Sequence, residues 1–409
     1  MTPEEKKYGV LSYFAQEGMA TQTERLAVDS SKNNLRIGIP KESTLQENRV
    51  ALVPSSVASL VGHGHEIFVE DGAGEKSNFS NSDYSEAGAQ ILYSKEEIFK
   101  SEVVLKVAPP TNEEARLLQP DNVLISPLQI PIINREYIKT LLDKRVVAIA
   151  MEYLQDGDGS FPVVRIMSEM AGISAMLAAA ELLSKSSNGP GVLLGGVSGV
   201  PPAKVVILGA GVVGEFATRT AIGLGAAVCI FDNNIYKLMR IQQRVGQQLF
   251  TSSINPVYLE REILNADVVI GAIHSETGRS PMVVSEEIVM KMRDGSVIID
   301  VSIDQGGCIE TSSVTTHEKP TFVKHGVTHY CIPNIASRVA RTASIAVSNI
   351  LTPILLDAGS THSIERLLYA NRGLLHGVYA YKGRLTNEYL AKNFDFKFTD
   401  LNLLLASNY

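Results

Sequence analysis

Short apolar runs alternate along the chain with stretches whose apolar residues recur at helical spacing. Runs at 35–40, 65–70, 103–107, 124–127 and 146–151 read as strands. Residues 55–62, 83–87 and 135–143 read as helices. Strands alternating with helices imply βαβ units and a mostly parallel sheet. Residues 168–185, SEMAGISAMLAAAELLSK, form a long helix rich in Ala, Leu and Met, ended by the turn-prone SSNGPG. A second series follows, with strands at 205–208, 227–232, 266–273 and 296–303 and helices at 212–224, 235–246 and 285–292. A helical pattern resumes near Ala336 and carries Ala343, Val347, Ile350 and Ile354. Residues 1–34 are polar and weakly periodic, an N-terminal extension with one helix around 8–18. The pattern is that of an α/β protein: two doubly wound series joined by long helices, with a helical C-terminal tail and no short-period repeat.

Composition narrows the function classes. The 409 residues are 45% hydrophobic and 20% charged, which excludes wholesale disorder. Lys plus Arg is 37 against 44 for Asp plus Glu, a net charge of −7 with no basic block, which argues against nucleic acid or an anionic membrane as partner. No uncharged apolar run reaches the ~18 residues of a membrane span. The first 18 residues carry acids and lack the apolar core of a signal peptide. Cys229, Cys308 and Cys331 are too scattered for a disulfide framework, so a reducing, cytoplasmic setting is expected.

The strongest motif is Gly209-Ala210-Gly211-Val212-Val213-Gly214, which follows an apolar strand and opens an amphipathic helix. That context makes a bare GxGxxG informative. Gly209 permits a tight turn, Gly211 lets backbone approach a pyrophosphate, and Gly214 allows close helix–strand packing. The helix N-terminus supplies N–H donors and a positive dipole end. Asp232 ends the next strand, 18 residues after Gly214. An acid there accepts from the ribose hydroxyls and repels a 2′-phosphate, which favours NAD over NADP. The competing reading makes Asp232 a helix N-cap.

Three further residues are candidates for chemistry. Asp300 and Asp304 are four apart on an expected strand, so in extended chain they share a face, and Asp304 at the mouth is a candidate acid/base; a turn Asp is the alternative. Lys106 lies in an apolar strand. It is a candidate for binding a substrate anion, although the pattern alone favours an edge-strand Lys whose ammonium reaches water. Arg49, between a strand and a helix start, is suited to clamp a carboxylate; an ordinary solvated Arg is the simpler alternative. His63 and His65 read as turn residues. The chain has no CxxC, HExxH, P-loop or GxSxG motif, and its eight His show no metal-ligand spacing.

These stretches resemble the alanine dehydrogenases, which are related to the NAD(H)-binding domain of proton-translocating transhydrogenases. The resemblance rests on Arg36-Ile37-Gly38-Ile39-Pro40-Lys41-Glu42 with Glu47-Asn48-Arg49-Val50-Ala51, on Glu70-Asp71-Gly72-Ala73-Gly74, and on Leu105-Lys106-Val107. It continues through Met167-Ser168-Glu169-Met170-Ala171-Gly172, the 191–197 segment, Pro201-Pro202-Ala203-Lys204-Val205, Ile303-Asp304-Gln305-Gly306-Gly307-Cys308, His329-Tyr330-Cys331, Asn334, Arg341-Thr342 and Tyr381-Lys382-Gly383. It covers about residues 35–405.

The resemblance implies NAD-dependent interconversion of L-alanine with pyruvate and ammonia. It implies that Arg49 and Lys106 hold the substrate's carboxylate and carbonyl side and that Asp304 is the catalytic acid/base. Ser168 and Met167 then lie near the cofactor, Asp232 and Lys237 near the adenosine ribose, and Asn334 near the nicotinamide; Val212 and Val213 open the helix at the phosphates. It also implies two Rossmann-like domains, a discontinuous substrate domain of 35–163 plus 340–409 and an NAD(H) domain of 164–339, assembled as a homo-oligomer, usually a hexamer. One departure stands out. Gln129, in Leu124-Ile125-Ser126-Pro127-Leu128-Gln129-Ile130, takes the place of the family's catalytic His. Gln donates a hydrogen bond but does not titrate, and loss of such a group costs about 10²–10⁴-fold in rate. The 273–277 segment, Pro333 and Ala336-Ser337-Arg338 also depart from the family's residues. The competing readings are a non-catalytic or regulatory NAD(H)-binding protein, a dehydrogenase for another small amino or oxo acid, and the NAD(H)-binding subunit of a membrane transhydrogenase.

Overall fold

The structure is a computed structural model that describes residues 34–406 apart from 45, 131, 276–277 and 361–363. The N-terminal extension through residue 33, with its expected helix at 8–18, lies outside the described residues, as do Glu276 and Thr277 of the departing loop.

The strands are β1 (Arg36–Ile39), β2 (Glu66–Glu70), β3 (Gln90–Leu92), β4 (Val103–Leu105), β5 (Val123–Ser126), β6 (Val147–Ala150), β7 (Lys204–Leu208), β8 (Ala227–Phe231), β9 (Phe250–Ser252), β10 (Val268–Gly271), β11 (Val297–Asp300), β12 (Thr321–Lys324), β13 (Val327–Tyr330), β14 (Val378–Tyr381) and β15 (Arg384–Leu385). They form two sheets, ordered β15-β14-β6-β5-β4-β1-β2-β3 and β12-β13-β11-β10-β7-β8-β9. Each contains the doubly wound order 3-2-1-4-5-6 of six parallel strands. The central strands are continuous Val/Ile/Leu runs because helices cover both faces. The strand order reverses between β1 and β4 and between β7 and β10, and ligands of such sheets bind beyond the strand ends at those points.

Two long helices join the halves. The first turns of Pro162–Leu182 pack into the core of the first sheet through Val163, while Ala171, Ala175 and Ala179 lie in the core of the second. Helix Ala340–Ser360 returns the chain, burying Val347, Leu351 and Leu355 against the first sheet. Both helices are long and apolar enough to cross a membrane by length and composition, but a large share of each is buried here against the two sheets.

Some expectations need correction. The tail is not wholly helical: β14 and β15 extend the first sheet as antiparallel strands, with Val378 opposite Ile149 and Ala380 opposite Ala148. The strand expected over 296–303 stops at Asp300 and continues as the 3-10 turn Val301–Gln305. The helix expected over 285–292 is the single turn Glu286–Val289. β3, β9 and the hairpin β12–β13 are short, and periodicity does not expose them. The hairpin turns through His325 (φ 53°) and Gly326 (φ 74°), the left-handed pair a tight two-residue turn requires.

The helix Pro162–Leu182 approaches the helix Val212–Gly223 at Gly172, where a Cβ would lie 2.4 Å from the carbonyl oxygen of Val213. Backbone on both sides cannot yield without moving one helix. Gly172→Ala is therefore expected to lower unfolding stability by about 1–3 kcal/mol, read as a lower urea midpoint at unchanged m-value; an unchanged midpoint contradicts the packing.

Candidate active site

The glycine loop leaves β7 between the ends of β8 and β10. Gly209 has φ 111°, and a Cβ on it would lie 2.3 Å from the carbonyl oxygen of Ala272. A Cβ on Gly214 would lie 1.9 Å from the carbonyl oxygen of Gly209, so helix and turn pack backbone to backbone. Gly211 differs: a Cβ there meets no atom within 4 Å. The space it leaves open is at the N-terminus of Val212–Gly223, where unpaired N–H groups and the dipole suit an anion. Val212 and Val213 form the first turn of that helix.

Asp232 follows β8, and its carboxylate accepts the backbone N–H groups of Ala210 and Asn234, both at 2.7 Å. It ties the glycine loop to the next helix but is not the N-cap, which is Asn234, accepting the Lys237 N–H at 3.2 Å. An open cavity of about 540 Å³ is lined by Asp232, Asn233, Asn234, Ile235 and Tyr236. Lys237, the next residue along the helix, is half-buried. Arg240, which no motif singles out, donates to the carbonyl oxygen of Ala210 at 3.3 Å, and its buried Nε has no partner. An open cradle at Gly211, an acid beside a cavity and an unpartnered guanidinium N–H fit a dinucleotide.

Arg49 is buried in the loop after β1. Its Nε and Nη2 donate to the two carboxylate oxygens of Glu47 at 2.7 and 2.5 Å, and its Nη1 reaches Met167 Sδ at 3.0 Å. Met167, on the helix that joins the two halves, thus contacts the cation expected to bind the substrate. Burial alone would lower the pKa of Arg49, but Glu47 outweighs it and holds the guanidinium charged; Glu47 is in turn held below its usual value. Ser337 locks the pair: its hydroxyl donates to Glu47 Oε1 at 3.0 Å and accepts the Asn48 N–H at 2.9 Å. Farther along, Ser344 and Ser348 accept the N–H groups of Val50 and Val53. Hydroxyls of the 3-10 turn Ile335–Val339 and of the helix after it hold the loop that carries Arg49, a role that the sequence of Ser337 shows only as a departure from the family.

Asp304 lies in the turn after β11. Because the strand ends at Asp300, the two acids do not share a strand face as expected. Asp300 is buried and accepts from the N–H groups of Ser302 and Cys308 and from Ser312 Oγ. It holds the Gly306-Gly307 turn, whose φ values are 90° and 79°. Asp304 is left exposed beyond the end of β11. Surrounding protein pushes its carboxyl up to about 7, Arg49 opposes that shift, and Asp300 adds to it. The side chain remains open to cleft water, which moderates desolvation until a ligand displaces it. Gln305 binds Ser275 through both amide atoms, at 2.9 and 3.1 Å, fixing the departing loop beside Asp304; His274 in that loop is exposed.

Lys106 corrects the edge-strand reading. It follows β4, which lies between β1 and β5, and its Nζ is sealed 2.8 Å from Glu42 and 3.4 Å from Glu114. Burial would lower its pKa, but the two carboxylates outweigh it and keep the ammonium charged. Gln129 follows β5 in left-handed backbone, φ 43°, and Glu152 Oε1 accepts the N–H groups of Leu128 and Gln129 at 2.7 and 3.3 Å. Asn334 Oδ1 meets His317 Nε2 at 3.1 Å, and the His317 N–H donates to Gln46 Oε1 at 2.8 Å; His317 carries no sequence signal. Ser168 is half-buried one residue beyond Met167. Arg49, Met167 and Asp304 thus form one neighbourhood at the strand ends, while Asp232, Lys237 and Arg240 form another beyond the glycine loop.

Residues 38–171 match the family model described as alanine dehydrogenase/PNT, N-terminal domain, and residues 175–388 match its C-terminal domain. The chain is 38% identical over 371 residues to an alanine dehydrogenase of Staphylococcus epidermidis, covering 90% of this chain and 99% of that protein. It is 39% identical over 366 residues to alanine dehydrogenase 2 of Staphylococcus aureus, covering 89% and 98%. Among solved structures it is similar to an L-alanine dehydrogenase (TM-score 0.82, 38% identity, covering 88% and 99%). It is also similar to a transhydrogenase from Sinorhizobium meliloti (TM-score 0.73, 25% identity, covering 86% and 99%).

The cradle gives a direct test. Gly211→Val is expected to leave the thermal midpoint within about 2 °C, since its Cβ meets nothing, yet to weaken NADH binding at least tenfold by fluorescence titration. Unchanged NADH affinity contradicts the assignment.

Proposed function

The chain belongs to the alanine dehydrogenase/PNT family of amino-acid dehydrogenases, and we propose that it catalyses the NAD-dependent oxidative deamination of L-alanine to pyruvate and ammonia, and the reverse. The observation that carries this reading is the convergence of Arg49 and Asp304: a fixed cation and a carboxyl poised near neutrality act on each other at the strand ends. In this reading Arg49, held by Glu47, presents its remaining N–H donors to the substrate carboxylate. Lys106, enclosed between Glu42 and Glu114, acts on the same carbonyl side through its charge rather than by contact. Asp304 takes the proton of the water that adds to the iminium carbon and returns it to the departing nitrogen. Bound nicotinamide supplies the hydride acceptor. Close alignment of two ligands carries much of the rate, so Met167, Ser168 and Asn334 act by position beside them.

The Asp232 carboxylate beside the cavity supports NAD rather than NADP, because a 2′-phosphate there meets a negative charge. The same reading assigns residues 35–163 and 340–409 to the substrate domain and 164–339 to the NAD(H) domain, in a cytoplasmic homo-oligomer. The three cysteines are free and buried, as a reducing compartment allows. One observation favours a different reading: Gln129 cannot deliver a proton, as expected of a regulatory NAD(H)-binding protein or of an enzyme for another oxo acid. The built Arg49–Glu47–Ser337 clamp and the raised Asp304 weigh for catalysis, since a passive module needs neither.

A carboxyl pushed up to about 7 once ligand displaces the water beside it, and acting as base, predicts that kcat for L-alanine oxidation rises about tenfold per pH unit below 7 and levels above it. Asp304→Asn should lose at least about 10²-fold in kcat, with the ascending limb gone and NADH affinity within about twofold. Full turnover in that variant would refute the role of Asp304.

A further inference from the structure

Most buried carboxyls among the described residues have a cation or a hydroxyl beside them. Glu47 has Arg49, and Glu42 and Glu114 have Lys106. Asp300 has two backbone N–H groups and a hydroxyl spread over both oxygens. Glu152 has neither: only backbone N–H groups answer it. Its Oε1 accepts the two N–H groups of the loop that carries Gln129, but its Oε2 is buried with no hydrogen-bond partner. The side-chain oxygen of Gln129, Oε1, is likewise buried with no partner. Two acceptor oxygens on residues already joined through one hydrogen bond are thus both short of a donor. A buried acceptor left unpaired costs about 1–3 kcal/mol, and a proton on Glu152 Oε2 given to Gln129 Oε1 would remove both deficits.

We propose that Glu152 is held as the neutral acid and donates from Oε2 to Gln129 Oε1, acting as a positioning residue that turns the Gln129 amide N–H2 toward the substrate's carbonyl oxygen. The arrangement explains how a non-titrating side chain serves where the resemblance places an imidazole. The proton is kept on the partner behind it, and the amide presents a permanent donor. The groups facing Glu152 agree with a neutral acid. They are the phenols of Tyr137 on helix Arg135–Asp143, Tyr379 on β14 and the adjacent Tyr153, each with its pKa pushed up by burial and so uncharged at neutral pH. Tyr137 and Tyr379 share a hydrogen bond of 2.9 Å and so occupy one another. No cation among the described residues acts on Glu152, and burial raises its pKa. Its two backbone bonds also hold Gln129 at φ 43°, a region costly for a residue with a side chain.

The proposal rests on the dehydrogenase reading for its kinetic arm alone. Glu152→Gln keeps an acceptor for the two N–H groups and a donor for Gln129, whereas Glu152→Ala keeps neither. The expected result is kcat and KM within about threefold of wild type for Glu152→Gln, and KM for pyruvate raised at least tenfold for Glu152→Ala. The second arm needs no turnover. A carboxyl whose pKa is higher folded than unfolded stabilises fully below the unfolded value, and that stability is lost as pH rises to the folded value. Wild type should therefore lose stability relative to Glu152→Gln from about pH 4.5 upward, read as a widening gap in thermal midpoint. A constant gap overturns the neutral acid. Loss of activity in Glu152→Gln equal to that in Glu152→Ala overturns positioning by the acid form. If wild type turns over no amino or oxo acid, the dehydrogenase reading fails, and the unfolding arm still decides the protonation of Glu152.

Discussion

The bidentate ion pair between Arg49 and Glu47 is the joint on which the cleft depends. It links residues two apart on a loop after β1, yet it reaches both connections between the two halves. Arg49 Nη1 touches Met167 on the helix that leaves the first sheet, and Glu47 accepts from Ser337 where the chain returns. A buried pair gains little net stability, because desolvation offsets attraction. Its value lies in direction. With two N–H groups committed to Glu47, the guanidinium plane is fixed and its unused donors face one way.

The same logic organises the remaining charges. Lys106 is fully enclosed and answered by two carboxylates, so it can stay charged in a dry site. Asp300 is spent on backbone donors and shapes the glycine turn, which leaves Asp304 alone in the open part of the cleft. Two acids four residues apart thereby take different roles: one is a structural acceptor, and the other titrates near neutrality. The difference arises because β11 stops at Asp300 and the chain turns. An extended strand would have put both on one face.

Much of this was readable in the sequence, for identifiable reasons. The long Val/Ile/Leu strands announce themselves by apolar runs, and the glycine loop by its spacing, because both depend on local sequence. Arg49 and Asp304 stand out as candidates because each follows an expected strand, Lys106 because it is a charge in an apolar run, and Gln129 only through the resemblance. What stayed hidden depends on partners distant in sequence. The burial of Lys106 depends on β4 being an inner strand. The hydroxyl ladder of Ser337, Ser344 and Ser348 serves a loop nearly 300 residues away. Glu152, Arg240 and His317 show no motif because their meaning lies in what they face. The strands of the tail were missed because β14 and β15 are short and lean on β6 for their register.

The central claim is that a fixed guanidinium and a near-neutral carboxyl assemble a working amino-acid dehydrogenase despite Gln129. The most direct measurement follows NADH absorbance in the purified protein with pyruvate and ammonium, each alone and together, with NADPH in parallel. The account predicts NADH consumption that requires both substrates and is much weaker with NADPH. Absence of consumption with pyruvate and ammonium together, in protein that binds NADH, would contradict it.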